Sequence, residues 1–268
     1  MLDPSQVPAE DRGFLLGDGL FETVRIYGGV PFRLAAHLER LEAGAIQLGI
    51  PVPNDLEWRV RWAVEEGPSE GALRITLSRG PGGDLSGEGA GPPTLALRIS
   101  PVPDTNEVEL HGALEGWVHQ GALSTGIKGL SYLERILALR RARERGRDEA
   151  LVRNARGELV EGSTSNLLAV GPRGELVAPG RRDGALPGIT RDVLLTEARQ
   201  MGLTIQERGL RPGELHTLRE LLLTSSIREV VPVVQVEGQP VGLGRPGPVY
   251  GQLRARFQEV IRRETTSR

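Results

Sequence analysis

The chain has 268 residues, of which 38% are hydrophobic and 25% are charged, and its formal net charge is −2. These values describe an ordinary soluble globular protein and argue against a basic surface for nucleic acid or for an anionic membrane. There is no cysteine, which excludes disulfides, thiolate metal sites and cysteine nucleophiles. There is also no apolar leader and no apolar run that could span a bilayer, so we expect a cytoplasmic protein.

The first half of the chain predicts a small domain of mixed helices and strands. A strand is predicted over 20–27, and Gly28-Gly29 predicts a hairpin turn after it. Apolar residues then recur with helical spacing from Leu34 to Leu48, which predicts an amphipathic helix that ends at Gly49. The other predicted elements of this half are a helix over 55–66 and strands over 73–78 and 94–100.

The segment 79–93, between the last two of these strands, is rich in glycine and proline. It is long and irregular, so we expect it to be mobile or to cover the substrate. Pro101 and Pro103 follow the strand and precede polar residues, which is typical of a domain boundary. We therefore predict an N-terminal α/β domain over 1–103 and a C-terminal α/β domain over 104–268.

The second half predicts further helices and short strands. Ser131 and Glu134 form a capping-box pattern, which places Lys128 on the loop just ahead of a helix that ends at Gly146. Another helix opens at Ile189. Short strands are predicted over 150–153, 158–161, 166–170, 175–178, 221–224 and 229–234.

Lysine occurs only at position 128, so the other 32 of the 33 basic side chains (33 − 1) are arginines. Arginine stays charged, whereas a lysine can become a neutral amine that forms Schiff bases with carbonyl compounds. A compositional bias towards arginine that left one lysine behind explains the count equally well. The neighbouring motifs have to decide between these two interpretations.

Several common types of site are disfavoured. The four histidines show no paired metal-ligand spacing, and the chain has neither a GxxxxGK phosphate loop nor a GxSxG nucleophile motif. The remaining polar groups suit pyridoxal phosphate, which needs an amine, a carboxylate beside its pyridine nitrogen and a phosphate-binding site. Lys128 supplies the amine. Glu161, at a predicted strand end, is the candidate carboxylate, with an ordinary surface glutamate as the alternative.

Candidates for the phosphate site also occur. Ile189 and Thr190 open a predicted helix, and the backbone N–H groups at a helix N-terminus bind anions. Arg40 on the first helix would add positive charge, with a solvated surface arginine as the alternative. Further hydroxyl groups, which a plain turn would also contain, come from Thr224, Ser225 and Ser226.

Six groups of residues, in order along nearly the whole chain, carry a family resemblance: 17–22, 37–41, 127–128, 161–167, 186–191, and 224–226 with 229–233. They resemble the class IV (fold type IV) pyridoxal-phosphate enzymes. This family comprises branched-chain aminotransferases, D-amino acid aminotransferases and 4-amino-4-deoxychorismate lyases. The resemblance implies two α/β domains with the cofactor between them, and a homodimer.

The same resemblance implies roles for individual residues. Lys128 is the Schiff-base lysine and proton shuttle, Glu161 pairs with the pyridine N–H, and Leu186 packs on the ring. Tyr132 corresponds to a tyrosine that contacts the cofactor's ring oxygen, although its spacing from Lys128 is one residue shorter than in the aminotransferases. The residues implied to hold the phosphate are Arg40, Ile189, Thr190, Ser225 and Ser226.

The loop after Arg79-Gly80 favours the lyases within this family. D-amino acid aminotransferases carry an arginine and a histidine shortly after this pair, where the present chain has Gly82, Gly83 and Asp84. Branched-chain aminotransferases are longer. We therefore expect a 4-amino-4-deoxychorismate lyase that releases pyruvate and forms 4-aminobenzoate for folate biosynthesis.

The alternatives are a branched-chain or D-amino acid aminotransferase and, more remotely, a non-catalytic binding protein of the same fold. Aminodeoxychorismate or an amino acid is the expected small-molecule partner, and we expect no metal. The candidates for substrate contacts are Arg79, Arg25 and Tyr132.

Overall fold

A computed structural model of the protein describes residues 7–103, 110–117 and 126–266. The chain divides into two compact units. The first consists of Met1–Pro103, Ile127–Tyr132 and Arg263–Arg268, and the second consists of Asp104–Gly126 and Leu133–Arg262. The segment that carries Lys128 thus groups with the first unit, although the sequence prediction placed it in the domain 104–268. None of the helices in the described ranges combines the length and apolarity needed to cross a membrane.

The first unit contains a four-stranded antiparallel sheet. Its elements are α1 (Arg12–Leu16), β1 (Gly19–Tyr27), β2 (Val30–Pro31), α2 (Leu34–Leu48), α3 (Leu56–Glu65), β3 (Gly71–Ser78) and β4 (Thr94–Ser100). The strand order is β2-β1-β3-β4. Gly28 and Gly29 join β1 to β2 with φ values of 55° and 80°, a left-handed conformation that glycine adopts readily.

Helix α2 buries the apolar stripe predicted from the sequence. Leu34, Leu38, Leu41 and Ala45 are buried in one cluster with residues of β1 and β3. The helix ends at Gly49, whose φ of 64° lets its N–H bond to carbonyls of the last turn. This packing fixes one face of α2 against the sheet, and therefore fixes where its polar side chains lie.

The second unit is built on a larger mixed sheet. Its elements are β5 (Leu110–Trp117), α4 (Leu133–Glu144), β6 (Glu149–Arg153), β7 (Leu159–Gly162), β8 (Asn166–Val170), β9 (Leu176–Val177), α5 (Ile189–Gln200), β10 (Ile205–Gln206), β11 (Glu220–Ser225), β12 (Glu229–Val236), β13 (Gln239–Pro240) and α6 (Pro248–Thr265). Six strands close into a ring because β7 pairs with both β6 and β8, and the path continues through β11, β12 and β5. Strand ends on neighbouring members of this ring are thereby brought side by side.

Most of these elements were predicted from the sequence, but two large ones were not. Strand β5 was not predicted, because its sequence contains two glycines and little alternation. Helix α6 was not predicted either, although Leu253, Phe257 and Ile261 recur at helical spacing and are buried. The missed elements do not carry any of the predicted site residues.

Candidate active site

The backbone of the lysine segment is held by strand β1. The N–H of Phe21 donates to the carbonyl of Lys128 at 2.9 Å, and the N–H of Leu130 donates to the carbonyl of Gly19 at 3.0 Å. Between them, Leu20 and Gly129 form an antiparallel bridge. Two backbone hydrogen bonds thus fix the Cα position of Lys128 against the sheet, so its side chain projects from a rigid support.

The amine of Lys128 is half-buried and lies beside two aromatic rings. Its Nζ donates to the Tyr132 hydroxyl at 3.3 Å and lies 4.6 Å from the centroid of the Phe21 ring. The two rings meet edge to face, with centroids 5.1 Å apart. Tyr132 was predicted to contact the cofactor's ring oxygen, which stays a prediction, and the structure brings its phenol within hydrogen-bond reach of the amine. This arrangement suits proton exchange between the amine and the phenol.

The second polar group of this unit is a buried cluster of Glu22, His37 and Arg40. Glu22 on β1 has no exposed surface. Arg40 donates to both of its carboxylate oxygens, through Nε and Nη2, at 2.7 Å each, and His37 Nδ1 lies 2.7 Å from Oε2. His37 and Arg40 are three residues apart on α2, so both face β1. Arg40, predicted as a phosphate ligand, is therefore held rigidly by a bidentate ion pair.

The charges in this cluster follow from burial and from hydrogen bonding. Burial raises the pKa of Glu22, but the hydrogen bonds from His37 and Arg40 outweigh it and lower the pKa from 4.5 to about 2. Burial lowers the pKa of His37 below 6.5, against the opposing effect of its hydrogen bond to Glu22. At neutral pH the cluster therefore contains a carboxylate, a guanidinium and a neutral imidazole that donates through Nδ1.

Arg74 is a cation that sequence reasoning missed, and it contacts an aromatic ring that Lys128 also contacts. Its guanidinium carbon lies 3.7 Å from the centroid of the Phe21 ring, the same ring that Lys128 contacts. Thr76 pairs directly with Phe21, which makes Arg74 a diagonal cross-strand neighbour of that ring. Within the described part of the chain, Arg74 has no carboxylate partner, and it is exposed. Arg74 could have been found only from the pairing of β1 with β3, and the sequence does not specify that pairing.

Arg79, which was predicted to contact the substrate, forms hydrogen bonds that connect neighbouring segments of the protein. Its Nε donates to Asp18 Oδ2 at 2.8 Å, and its other nitrogens donate to the carbonyls of Leu48 and Gly49. Arg12 donates to the same oxygen of Asp18 and also to loop carbonyls at 84 and 85. The loop 79–93 is thus tied to α1 and α2, and these contacts favour a structural role for Arg79. Its substrate role stays a prediction.

Arg25 is engaged in a similar way. Its Nη2 donates to Glu70 Oε2 at 2.7 Å, and its Nη1 donates to the carbonyl of Ile26 at 3.0 Å. The guanidinium also lies 4.6 Å from the centroid of the Tyr27 ring. These contacts likewise favour a structural role, while the predicted substrate role of Arg25 stays untested.

In the second unit, Glu161 is a buried carboxylate at the end of β7, with 2% of its surface exposed. Oε1 accepts a hydrogen bond from Asn166 Nδ2 at 3.2 Å and another from the N–H of Leu186. Oε2 accepts from Arg135 Nη2 at 2.7 Å. The predicted residues Glu161 and Leu186 are therefore in contact, and Asn166 and Arg135 join them without having been predicted as site residues.

The predicted phosphate residues Ile189 and Thr190 form the first turn of α5. No side chain caps this helix, and Thr190 is buried. A Cβ on Gly188 would lie 1.7 Å from Asn166 Oδ1, so only glycine lets the helix start so close to that side chain. The uncapped N-terminal N–H groups suit an anion.

Ser225 and Ser226 lie at the end of β11 and in the turn after it, where both are half-buried. Ser225 Oγ accepts a hydrogen bond from the N–H of Arg228 at 3.1 Å. The neighbouring Thr224 pairs in register with Asn166 of β8, and its buried Oγ1 has no hydrogen-bond partner among the described residues. A buried hydroxyl without a partner is costly, which makes Thr224 a candidate for contact with a bound ligand. No group of three or more potential metal ligands occurs in the described ranges.

Acid should destabilise the protein first through His37. Because the folded pKa is below 6.5, the unfolded chain binds more protons, so stability falls as the pH drops through 6.5. In His37→Asn, the amide still supplies a donor near the position of Nδ1 but does not titrate. We expect the free energy of unfolding below pH 6.5 to depend less steeply on pH, by up to about 1.4 kcal/mol per pH unit. Chemical denaturation at a series of pH values measures this slope.

His216→Asn is the matched control, since His216 is exposed. It removes an imidazole from an exposed position, and its slope is measured under the same conditions as that of His37→Asn. Glu22 does not interfere, because its contribution is present above pH 4.5 and is lost only as the pH falls towards about 2. Equal slopes for His37→Asn and the unsubstituted protein would contradict the neutral, buried imidazole.

This chain resembles known proteins in both sequence and fold. The profile of the family described as Amino-transferase class IV matches residues 19–236. A protein of Methanocaldococcus jannaschii, provisionally named a branched-chain-amino-acid aminotransferase, is 31% identical over 264 residues, which cover 96% of this chain and 91% of the relative. A D-alanine aminotransferase of Bacillus licheniformis is 30% identical over 266 residues, which cover 97% of this chain and 93% of the relative.

A solved structure from Legionella pneumophila, provisionally named a 4-amino-4-deoxychorismate lyase, is 26% identical to this chain and superimposes with a TM-score of 0.87. The match covers 95% of this chain and 95% of that structure. The predicted resemblance and the mixed α/β fold are confirmed. These proteins carry the names of different reactions, so the match identifies the family rather than the substrate. The chain belongs to the class IV aminotransferases, an enzyme family that depends on pyridoxal phosphate.

Proposed function

We propose that the protein is a 4-amino-4-deoxychorismate lyase that converts its substrate into pyruvate and 4-aminobenzoate. The observation that carries the cofactor-dependent part is the Lys128 amine, which is held by β1 and hydrogen-bonded to Tyr132 at 3.3 Å. In this proposal Lys128 would hold the aldehyde of pyridoxal phosphate covalently. Once the substrate amine had displaced it, the freed Lys128 amine would accept the proton from the substrate carbon that carries the amino group.

The polar groups of the second unit fit the cofactor's other functional groups. Glu161 accepts three hydrogen bonds, and a carboxylate offers about four acceptor positions, which leaves one for a pyridine N–H. The uncapped start of α5 and the unpartnered hydroxyl of Thr224 suit phosphate oxygens. When bound, pyridoxal phosphate supplies an electron sink for the negative charge that develops on the substrate carbon.

We further propose the predicted residue assignment. Glu161 pairs with the ring nitrogen, and Leu186, whose N–H holds the Glu161 carboxylate, packs on the ring. Arg40, oriented by Glu22, contributes charge to the phosphate site. The backbone and hydroxyl contacts to phosphate come from Ile189, Thr190, Ser225 and Ser226.

The identity of the substrate, and the choice between lyase and aminotransferase, depend on the residues that would contact the substrate near Lys128. Arg74 supports a carboxylate-bearing substrate, because it is exposed, contacts the same Phe21 ring as Lys128 and has no carboxylate partner among the described residues. The glycines and Asp84 that follow Arg79 support the lyase. So does the Legionella pneumophila structure, which matches over nearly its whole length.

An aminotransferase acting on branched-chain or D-amino acids is the second candidate. It is favoured by the two relatives that are 31% and 30% identical over nearly the whole chain. Both reactions begin with removal of the same proton, so Lys128, Tyr132 and Glu161 serve either one.

A homodimer is also part of the proposal. Phe14, Leu15 and Leu16 of α1 are exposed by 75%, 59% and 51% in the single chain, and contiguous exposed apolar groups are typical of interaction sites. Light scattering of the purified protein would give a monomer mass if this is wrong.

The purified protein should be yellow, and borohydride should fix the cofactor to Lys128. The chain has no other lysine, so a single modified peptide is expected by mass spectrometry. Lys128→Ala should lose the fixed label and nearly all turnover, because alanine has no amine to bind the aldehyde. An unmodified Lys128 peptide, or full turnover in the variant, would refute the cofactor assignment.

Aminodeoxychorismate should release pyruvate and 4-aminobenzoate faster than leucine or D-alanine transfers its amino group to 2-oxoglutarate. The three reactions are to be compared on one preparation, with the cofactor content measured beforehand. Faster transamination of leucine or D-alanine would replace the lyase by the second candidate. The assignment of Lys128 would remain, because both reactions require it.

Arg74→Gln should raise the KM of the preferred substrate about tenfold or more, because a charge-assisted contact of about 1.5–3 kcal/mol is lost. Cofactor affinity should change little, since Phe21 and Thr76, which the guanidinium contacts, are not among the proposed cofactor ligands. Arg79→Gln is the matched comparison, and it should lower stability through loss of the Asp18 ion pair while leaving KM nearly unchanged. An increase in KM confined to Arg79→Gln would restore the original substrate assignment of that residue.

A further inference from the structure

Arg135 makes direct contact with the proposed ring-pairing carboxylate, and no motif in the sequence includes it. It lies on α4, seven residues after Lys128. Its Nη2 donates to Glu161 Oε2 at 2.7 Å, and its Nη1 donates to the carbonyls of Ser163 at 3.1 Å and Gly162 at 3.5 Å. One guanidinium therefore holds both the carboxylate and the backbone of the turn that follows it.

The two oxygens of Glu161 have different kinds of partner. Oε1 accepts only from neutral donors, the Asn166 amide and the N–H of Leu186. Oε2 accepts from the charged guanidinium of Arg135, whose side chain is 19% exposed. Arg135 is the only cation in ion-pair contact with Glu161 in the described part of the chain.

A buried carboxylate needs a positive partner to stay ionised at low cost. Neutral hydrogen bonds satisfy its lone pairs but do not balance its charge, and removing one partner of a buried ion pair is strongly unfavourable. Before a cofactor binds, Arg135 is the group in contact with Glu161 that provides this balance. The plane of the carboxylate is fixed as well, because Arg135 holds Oε2 while other donors hold Oε1.

We propose that Arg135 is a positioning residue that acts on bound pyridoxal phosphate through Glu161, by holding that carboxylate in the orientation that faces the ring nitrogen. This inference rests on the proposed pairing of Glu161 with that nitrogen. The chemistry it supports is common to the lyase and the aminotransferase. A purely structural arginine that only clamps the 162–163 backbone is the competing explanation.

A double-substitution cycle separates these explanations. The proteins are Arg135→Gln, Glu161→Gln, the double variant and the unsubstituted protein, each reconstituted with pyridoxal phosphate. Arg135→Met replaces the glutamine variant if that one is insoluble. Arg135→Lys tests rescue by a retained charge, and Arg141→Gln controls for loss of a cation from the exposed face of the same helix. Each protein is measured for kcat, KM, cofactor content and the visible absorbance band of the bound cofactor.

Arg135→Gln should lower kcat about tenfold with less than about twofold change in KM, and Glu161→Gln about a hundredfold. In the Glu161→Gln background, loss of Arg135 should have almost no further effect, because its action passes through the missing carboxylate. Arg135→Lys should recover most of the activity. The absorbance band should shift in the same direction in Arg135→Gln and in Glu161→Gln, and no further in the double variant.

An equal loss of kcat when Arg135→Gln is made in the unsubstituted protein and in Glu161→Gln would overturn the proposal. Arg135 would then have only the structural role of holding the 162–163 backbone. An unshifted absorbance band in Arg135→Gln would overturn it as well. The absorbance measurement needs no turnover, so it tests Arg135 even if neither proposed reaction is observed. A protein that binds pyridoxal phosphate but shows no change of the band in Glu161→Gln would instead refute the proposed role of Glu161.

Discussion

The backbone pairing between β1 and the lysine segment is the constraint on which the first unit depends. The N–H of Phe21 reaches the carbonyl of Lys128 at 2.9 Å, so a residue distant in sequence becomes a neighbour of the sheet. Successive residues of a strand face opposite sides. Phe21 therefore contacts the amine of Lys128, while Glu22 turns to α2 and holds Arg40. One strand thus positions a nucleophile on one face and a cation on the other.

The buried carboxylates of Glu22 and Glu161 are balanced in related ways. Glu22 is balanced by a bidentate arginine, and a neutral histidine satisfies its remaining need for a donor. Glu161 is balanced by Arg135, with an amide and a backbone N–H on its other oxygen. In both cases one cation contacts one carboxylate, so each site is close to electrically neutral before any ligand arrives. Removing either arginine would leave a buried carboxylate without its cation, which is strongly unfavourable.

Most of what is encoded locally was predicted from the sequence, with α6 as the exception, whereas what depends on pairing was missed. Helix α2 follows from its apolar spacing and from Gly49, and the single lysine followed by a tyrosine indicated the amine. Arg74 and Arg135 were missed because their significance lies in contacts across strands and between a helix and a strand end. Arg79 was chosen as a substrate residue from its loop, but its hydrogen bonds to Asp18 could not be foreseen without the fold.

The register across β7, β8 and β11 also limits how the protein can evolve. Glu161, Asn166 and Thr224 are paired in one row, so an insertion or deletion of one residue between 161 and 166 would turn Asn166 to the opposite face of the sheet. Gly188 adds a second restriction, because a Cβ at that position would lie 1.7 Å from Asn166 Oδ1. Length changes should therefore accumulate in surface turns such as that at Gly28-Gly29, whereas the spacing between Glu161 and Asn166 should be inherited unchanged.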